Sequence, residues 1–368
     1  MKLFSFILLS LILNQAAAQR NCGTANYWTE QLSSDLQLKT RYERIQKNTA
    51  SLKEQENGFS DIAVITIPVV VHVLYNTPAE NIGDEQIRSQ LDVLNKDFSK
   101  TNQDISQVPA AFAAFAADTH IQFELAKVDP EGRATTGIVR KKTAQTSWKQ
   151  NDEMKYNISG GDDAWDSRYY LNIWVCNLTR SLLGYSTFPG AAADKDGVVI
   201  RTDIFGCMHI SHPVYNKGRT TTHEVGHWLN LKHLWGDSNC GDDGVADTPP
   251  QRTYNSGCSS FPQVNPDGCN PDPNGDMFMN FMDFSDDACI LMFTSGQKQR
   301  MRDLFKANGP RSSLLQSPAL GEPWNNTPSP YDDPAEQVVL TVFPNPATSG
   351  IIFSSRNGKP VIVTTFTV

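Results

Sequence analysis

The chain has 368 residues, 20% of them charged, and a formal net charge of -8. Its length allows one large domain or two ordinary ones, and its mixed composition excludes a disordered or fibrous class. The acidic balance, with no Lys/Arg cluster, excludes nucleic acid as a default partner, because that binding rests on neutralising phosphates.

Residues 1–18, MKLFSFILLSLILNQAAA, combine one lysine, an apolar run from Leu3 to Leu13 and the small residues Ala16, Ala17 and Ala18. This pattern predicts a signal peptide ending near Ala18. The run is too short to span a membrane, so the chain is expected to be secreted, without a membrane span. Residues 19–60 are polar and lysine-rich with weak helical periodicity, and read as a pro-segment that offers little core.

Residues 61–315 read as the main domain. DIAVITIPVVVHVLY has the β-branched density of a buried strand, with Pro68 expected at its start or at a break. GDEQIRSQLDVLNKDFSK places Ile87, Leu91, Leu94 and Phe98 at helical spacing behind an acidic first turn. Strands are predicted at IQFELAKV, YLNIWVCNL and DGVVIRTDIF, giving an α/β domain with a mostly sequential sheet. Regular patterning stops from Trp235 to Asp276, and GQKQRMRDLF returns to helix. Residues 316–335 form a Pro- and Asn-rich linker, and 336–368 begin like a β-sandwich too short to close a core.

Seven cysteines in a secreted chain predict disulfides plus one left over. Cys240, Cys258, Cys269 and Cys289 crowd a Gly-, Asp- and Pro-rich stretch that needs two bridges for shape. Cys176 and Cys207 follow apolar strands as a third pair or as buried thiols, and Cys22 stands alone beside the new N-terminus.

The chemistry centres on HEVGHWLNLKH, residues 223 to 233. Residues four apart share a helix face, so His223 and His227 can present two imidazoles to one zinc ion, with Glu224 flanking the open side. Catalytic zinc takes three protein ligands and keeps one position for water, whose acidity it raises; Glu224 would take that water's proton and pass it to the leaving amine. His233 is the third ligand only if the chain turns first, and Asn230 tolerates the left-handed conformation that ends helices. Thr221 to Glu224 also fits a capping box, in which the glutamate would merely cap the helix. His72, His120, His209 and His212 read as strand or loop residues.

HEVGHWLNLKH followed by MNFMDFSDDAC resembles the pappalysin family of metzincin metalloproteases, most closely its short bacterial members, over Ile62 to Phe305. The resemblance implies a twisted mixed sheet with a backing helix and the zinc helix above, an irregular disulfide-bridged lower subdomain, and protein or peptide substrates lying extended in the cleft between. Met282 matches the methionine turn beneath the zinc. The resemblance also implies the pairs Cys240–Cys269 and Cys258–Cys289. It implies structural calcium in GDDGVADTPP, with Asp247 and Thr248 as ligands. Asp287 matches the acidic floor of the pocket for the residue after the scissile bond, which implies cleavage before Arg or Lys, with Arg favoured by its two-pronged pairing. Arg20-Asn21-Cys22-Gly23 resembles a cysteine switch, with Cys22 as a fourth zinc ligand in the zymogen. Two positions depart from the family: Asn230 stands where Gly is usual, and Phe284 where a tyrosine supports the reaction's intermediate. VFPNPATSGIIF resembles the start of the sorting domains of type IX secretion in Bacteroidetes. The expected function is thus a monomeric, secreted zinc metalloendopeptidase made as a zymogen. The alternative is a non-catalytic zinc-containing adhesin or binding module with the same fold.

Overall fold

The computed structural model describes residues 20–51, 63–179, 181–266 and 268–329. The expected signal peptide and C-terminal sorting module lie outside the described residues. No described helix is long and apolar enough to cross a membrane.

The β-branched run forms β1 (Ile65–Tyr75), the centre of a six-stranded sheet. Its eleven residues outrun every neighbour, so one edge takes β2 (Ile121–Leu125) against its first half and β3 (Ile138–Lys142) against its second. The other edge takes β4 (Leu171–Cys176), then β6 (Gly197–Arg201), then β5 (Gly184–Ser186), which runs antiparallel to the rest. The sheet is therefore not sequential: β1 lies in the middle because successive crossovers return to opposite edges.

Pro68 lies inside β1 rather than at its end. The amides of Ile65 and Val71 point to the β2 and β3 edge, so that of residue 68 would point the other way. There β4 begins only opposite Val69, so the missing donor leaves no ladder bond unmade.

Both sheet faces are covered, which explains the near-continuous apolar strands. On one face Ile65, Ile67, Val69, Val71 and Val73 pack against Ile87, Leu91, Leu94 and Phe98 of α3 (Asp84–Phe98). Val225 and Trp228 of the motif helix join the same core. Past β1 and α3 come a short α4 (Ala110–Ala113) and, beyond the sheet, α5 (Arg219–Trp228) and α6 (Ser295–Arg302). The other face buries Leu74, Trp174, Val199 and Tyr185 under Trp148, Met154 and Phe188. His72, on this face, is buried with Nδ1 2.6 Å from Asp162 and Nε2 3.0 Å from Asn172, so a strand histidine has a full set of partners.

The described part of the segment read as a pro-segment, residues 20–51, is more ordered than its sequence predicts. It forms α1 (Thr24–Ser34) and α2 (Leu36–Ser51), with Asp35 accepting the Leu38 amide at the start of the second helix. Tyr27, Trp28 and Leu38 are buried in the core beside Phe188 and Tyr185. Burying one such ring contributes up to about 4 kcal/mol, from about 150 Å² at about 25 cal/mol/Å². Weak periodicity hid this contribution because the partner surface belongs to the main domain.

From Trp235 to Asp276 no described residue is in a helix or strand, and Cys240–Cys269 and Cys258–Cys289 are disulfide-bonded. Cys176 is buried and Cys207 exposed, and the two do not pair. The stretch read as a linker from residue 316 is anchored to the domain at two points: Ala319 is buried and its carbonyl accepts the Lys127 and Val128 amides, and the buried Ser329 hydroxyl donates to Asp129 (2.7 Å).

Candidate metal centre

Helix α5 starts at the left-handed Gly218 and carries His223 and His227 one turn apart. It ends as the sequence requires. Asn230 adopts φ +73°, its amide bonds to the His227 carbonyl (2.8 Å) and that of Leu231 to the Gly226 carbonyl (2.9 Å). This left-handed turn sends His233 back toward its two predecessors. The capping box is not realised: the Thr221 hydroxyl donates to Gln90, and Glu224 faces the cleft segment.

The three imidazole Nε2 atoms lie 3.1–3.2 Å from one another. Each Nδ1 has an acceptor: the Phe281 carbonyl for His223, the Leu231 carbonyl for His227, and the Asp237 carboxylate for His233. Nδ1 therefore carries the proton and Nε2 the lone pair. Burial holds His223 well below its ordinary range and His227 at about 3, so both rings are neutral. Three lone pairs facing one another at such distances repel unless a cation sits among them. The thiol of Cys22 completes the group, 3.5 Å from His227 Nε2, and the four donor atoms lie within 4.8 Å of one another. Three imidazole nitrogens and one sulfur, so closely grouped, suit tetrahedral zinc. Burial, with the charge of Glu224 second, pushes the Cys22 thiol up, which only a bound cation would reverse.

Met282 lies beneath this group. A Cβ on Gly226 would come within 2.5 Å of the Met282 sulfur, so the helix needs glycine there to rest on the turn. The turn also supplies the Phe281 carbonyl that orients His223. Phe284 packs against His233 and His223, with ring centroids 4.8 and 5.8 Å away. Its side chain brings no hydroxyl to the site.

The N-terminal segment occupies the cleft along the edge strand β5. The Leu183 amide donates to Asn21 O (3.0 Å) and the Gly23 amide to Gly184 O (2.9 Å), in parallel pairing. An extended chain turns alternate side chains to one face, and residues 20, 22 and 24 all face inward. Cys22 reaches the histidines. The Thr24 hydroxyl donates to Glu224 Oε2 (2.7 Å) and accepts the Ser186 amide (2.9 Å). The Arg20 guanidinium donates to Asp287 Oδ1 (2.6 Å), to the Thr220 hydroxyl (3.2 Å) and to the Ser285 carbonyl (3.3 Å), and lies over the Tyr215 ring. Sequence reading identified Cys22 and Asp287 but missed Arg20 and Thr24 as cleft residues. The alternation of 20, 22 and 24 was the signal that could have found them. Glu224 Oε1 is buried without a hydrogen-bond partner among the described residues, and burial pushes this carboxyl up to about 7.

Asp247 and Thr248 do not converge on a shared space. Asp247 accepts the Thr294 hydroxyl (2.7 Å) and the Gly296 amide (2.8 Å) at the start of α6, while the Thr248 hydroxyl turns to Asp243 (2.9 Å).

Residues 154–306 match the M43 peptidase family, described as pregnancy-associated plasma protein-A. An extracellular metalloprotease of Verticillium alfalfae is 31% identical over 306 residues, covering 79% of this chain and 92% of that protein. One from Arthroderma benhamiae is 30% identical over the same length and coverage. Among solved structures, mature mirolysin of Tannerella forsythia in complex with a cleaved peptide is 48% identical, with a TM-score of 0.67, over 69% of this chain and 96% of that chain. A point mutant of Tannerella forsythia promirolysin is 44% identical, with a TM-score of 0.74, over 81% of this chain and 97% of that one.

Proposed function

This chain belongs to the M43, or pappalysin, family of metalloproteases, and from that premise we propose a secreted zinc endopeptidase held latent by its own N-terminal segment. The observation that carries the reading is the convergence of three imidazoles and one thiol beside a buried, half-partnered glutamate. Relatives named extracellular metalloproteases support secretion.

His223, His227 and His233 would hold zinc, and Cys22 would occupy the position that substrate and solvent need. When bound, zinc supplies Lewis acidity that polarises the scissile carbonyl and acidifies solvent. Glu224, beside that position, accepts the proton of the attacking water and delivers it to the leaving amine. The free edge of β5 pairs with substrate main chain, as it pairs with Asn21 and Gly23. Asp287 receives the basic side chain that follows the scissile bond, and the seating of Arg20 on it supports cleavage before Arg or Lys. The segment thus blocks three positions at once: Arg20 the basic pocket, Cys22 the metal and Thr24 the general base.

For the loop of Asp247 and Thr248 we propose a structural calcium. Its support is Asp243, a buried carboxylate whose donors are the neutral Val245 amide and Thr248 hydroxyl, and which burial pushes up to about 6. The alternative reading, a zinc-containing binding module without catalysis, draws on Phe284. Casein digestion by the processed protein separates the two. Loss of digestion with a chelator and with Glu224→Ala is expected; a processed protein that never digests casein supports the binding module.

A further inference from the structure

A second concavity lies outside the cleft. A cavity of about 560 Å³ opens at the carboxyl ends of three neighbouring parallel strands, β1, β4 and β6. Parallel sheets with helical crossovers commonly bind ligands there, and the volume is that of a ligand site. Glu80 and Ile82 wall it after β1, Leu178 after β4, and Arg201, Thr202 and His209 at the end of β6 and beyond.

Its relation to the cleft follows from hydrogen bonds in series. The Arg201 amide donates to Leu183 O (2.9 Å), and the Leu183 amide to Asn21 O (3.0 Å) in the cleft. The loop bearing His209 continues to His212, which stacks on Tyr215 at 5.0 Å, and Tyr215 lies under Arg20 at the same distance. The cavity is therefore linked to the surroundings of Arg20 and Asp287 through β5 and through the loop from His209 to Tyr215.

Chain direction decides which part of a substrate reaches it. The latent segment meets Asp287 first, through Arg20, and the histidines second, through Cys22. A substrate cut before its basic residue must meet them in the opposite order, scissile carbonyl first and basic side chain second. It therefore runs antiparallel to β5. Beyond the basic residue it continues past Leu183 toward Leu178, a wall of the cavity.

We propose that this cavity is a distal subsite for substrate polypeptide, binding the residues that follow the basic residue by two or more and favouring long chains over short peptides. The assignment rests on the reading that cleavage precedes Arg or Lys. The wall chemistry fits a polypeptide better than an anion or a nucleotide. Arg201 is paired with Asp203 through two hydrogen bonds, Glu80 adds a carboxylate and His209 an imidazole, and Ile82 and Leu178 are apolar. Thr202 contributes a buried hydroxyl without a hydrogen-bond partner among the described residues. No single-sign field results; amide groups and mixed side chains are what such a lining pairs with.

The test compares two peptides on the processed full-length enzyme. They share their sequence up to one residue past a single arginine; one ends there as an amide and the other continues for five residues. The wild type is expected to show kcat/KM at least tenfold higher for the long peptide, mainly through KM. Ala79→Trp and, separately, Ser211→Trp place a ring into the cavity from its exposed rim, and either should bring the long-to-short ratio close to one. Melting temperatures establish that each variant is folded, and two positions guard against one failing to fold. Equal kcat/KM for both peptides in the wild type, or a ratio retained in both folded variants, overturns the subsite. Cleavage elsewhere than before the arginine overturns the specificity reading instead, and the subsite falls with it.

Discussion

The carboxylate of Asp287 binds Arg20 through Oδ1 at 2.6 Å and, through Oδ2, the backbone amides of Lys217 (2.9 Å) and Arg219 (3.3 Å). The residue proposed to floor a basic pocket therefore also caps α5, the helix that bears two of the candidate zinc ligands. An anionic acceptor at a helix N-terminus stabilises by about 1–2 kcal/mol. Under the proposed function, specificity and the position of α5 are coupled through one side chain.

Substitutions at Asp287 should separate these roles. Asp287→Ala is expected to lose both, lowering the melting temperature and abolishing the preference for Arg and Lys. Asp287→Asn keeps a neutral acceptor for the two amides, so the fold should largely survive while the basic preference disappears. Sequencing peptides released from a mixed protein digest reads the preference. An excess of Arg or Lys after the cut that persists in Asp287→Asn would refute the assignment.

Latency should depend on Cys22 and Thr24 separately. Cys22→Ala removes the thiol from the three imidazoles, and the precursor should gain at least tenfold in initial rate on a short peptide, the equivalent of about 1.4 kcal/mol of released inhibition. Thr24→Val removes the hydroxyl from Glu224 Oε2 and leaves the thiol, so a smaller gain is expected. Uncleaved precursor must be verified on a gel during the assay. A Cys22→Ala precursor no more active than wild type contradicts the switch.

The convergence of the candidate metal ligands was legible because helical spacing and one left-handed residue determine it locally: His223, His227, Asn230 and His233 fall within eleven consecutive positions. The sheet order was less so. β5 is three residues long and β3 carries polar residues, so neither has a sequence signature, and placing β1 in the middle is a choice made by long-range pairing. Arg20 and Thr24 were missed for a related reason. Their partners Asp287 and Glu224 lie 267 and 200 residues away, and the one local signal for them is their alternation with Cys22.

Calcium should stabilise the irregular stretch from Trp235 to Asp276. A bound ion stabilises only by favouring the folded state, and here it would relieve the buried, undercompensated carboxylate of Asp243. Millimolar calcium added to metal-stripped, zinc-restored protein is expected to raise the melting temperature, and Asp243→Asn should reduce that rise. Identical melting curves with and without calcium would remove the proposal.

Phe284 offers a gain-of-function test. Its ring meets the stacked rings of His233 and Trp235 edge-on, with centroids 4.8 and 4.9 Å away, beside Cys22 in the same cluster. Under the proposed switch, a hydroxyl at the end of that ring would lie beside the space left by Cys22, where negative charge would develop on the substrate carbonyl. One well-placed donor there is worth about 10²-fold in rate or more. Phe284→Tyr in the processed enzyme should therefore raise kcat by about tenfold or more on the same peptide, with KM little changed, because the added bond forms mainly in the transition state. Zinc content and melting temperature serve as controls, since the ring keeps its packing and only the hydroxyl is new. A folded, zinc-replete Phe284→Tyr enzyme with unchanged kcat would mean that this chain stabilises the intermediate without a donor at position 284.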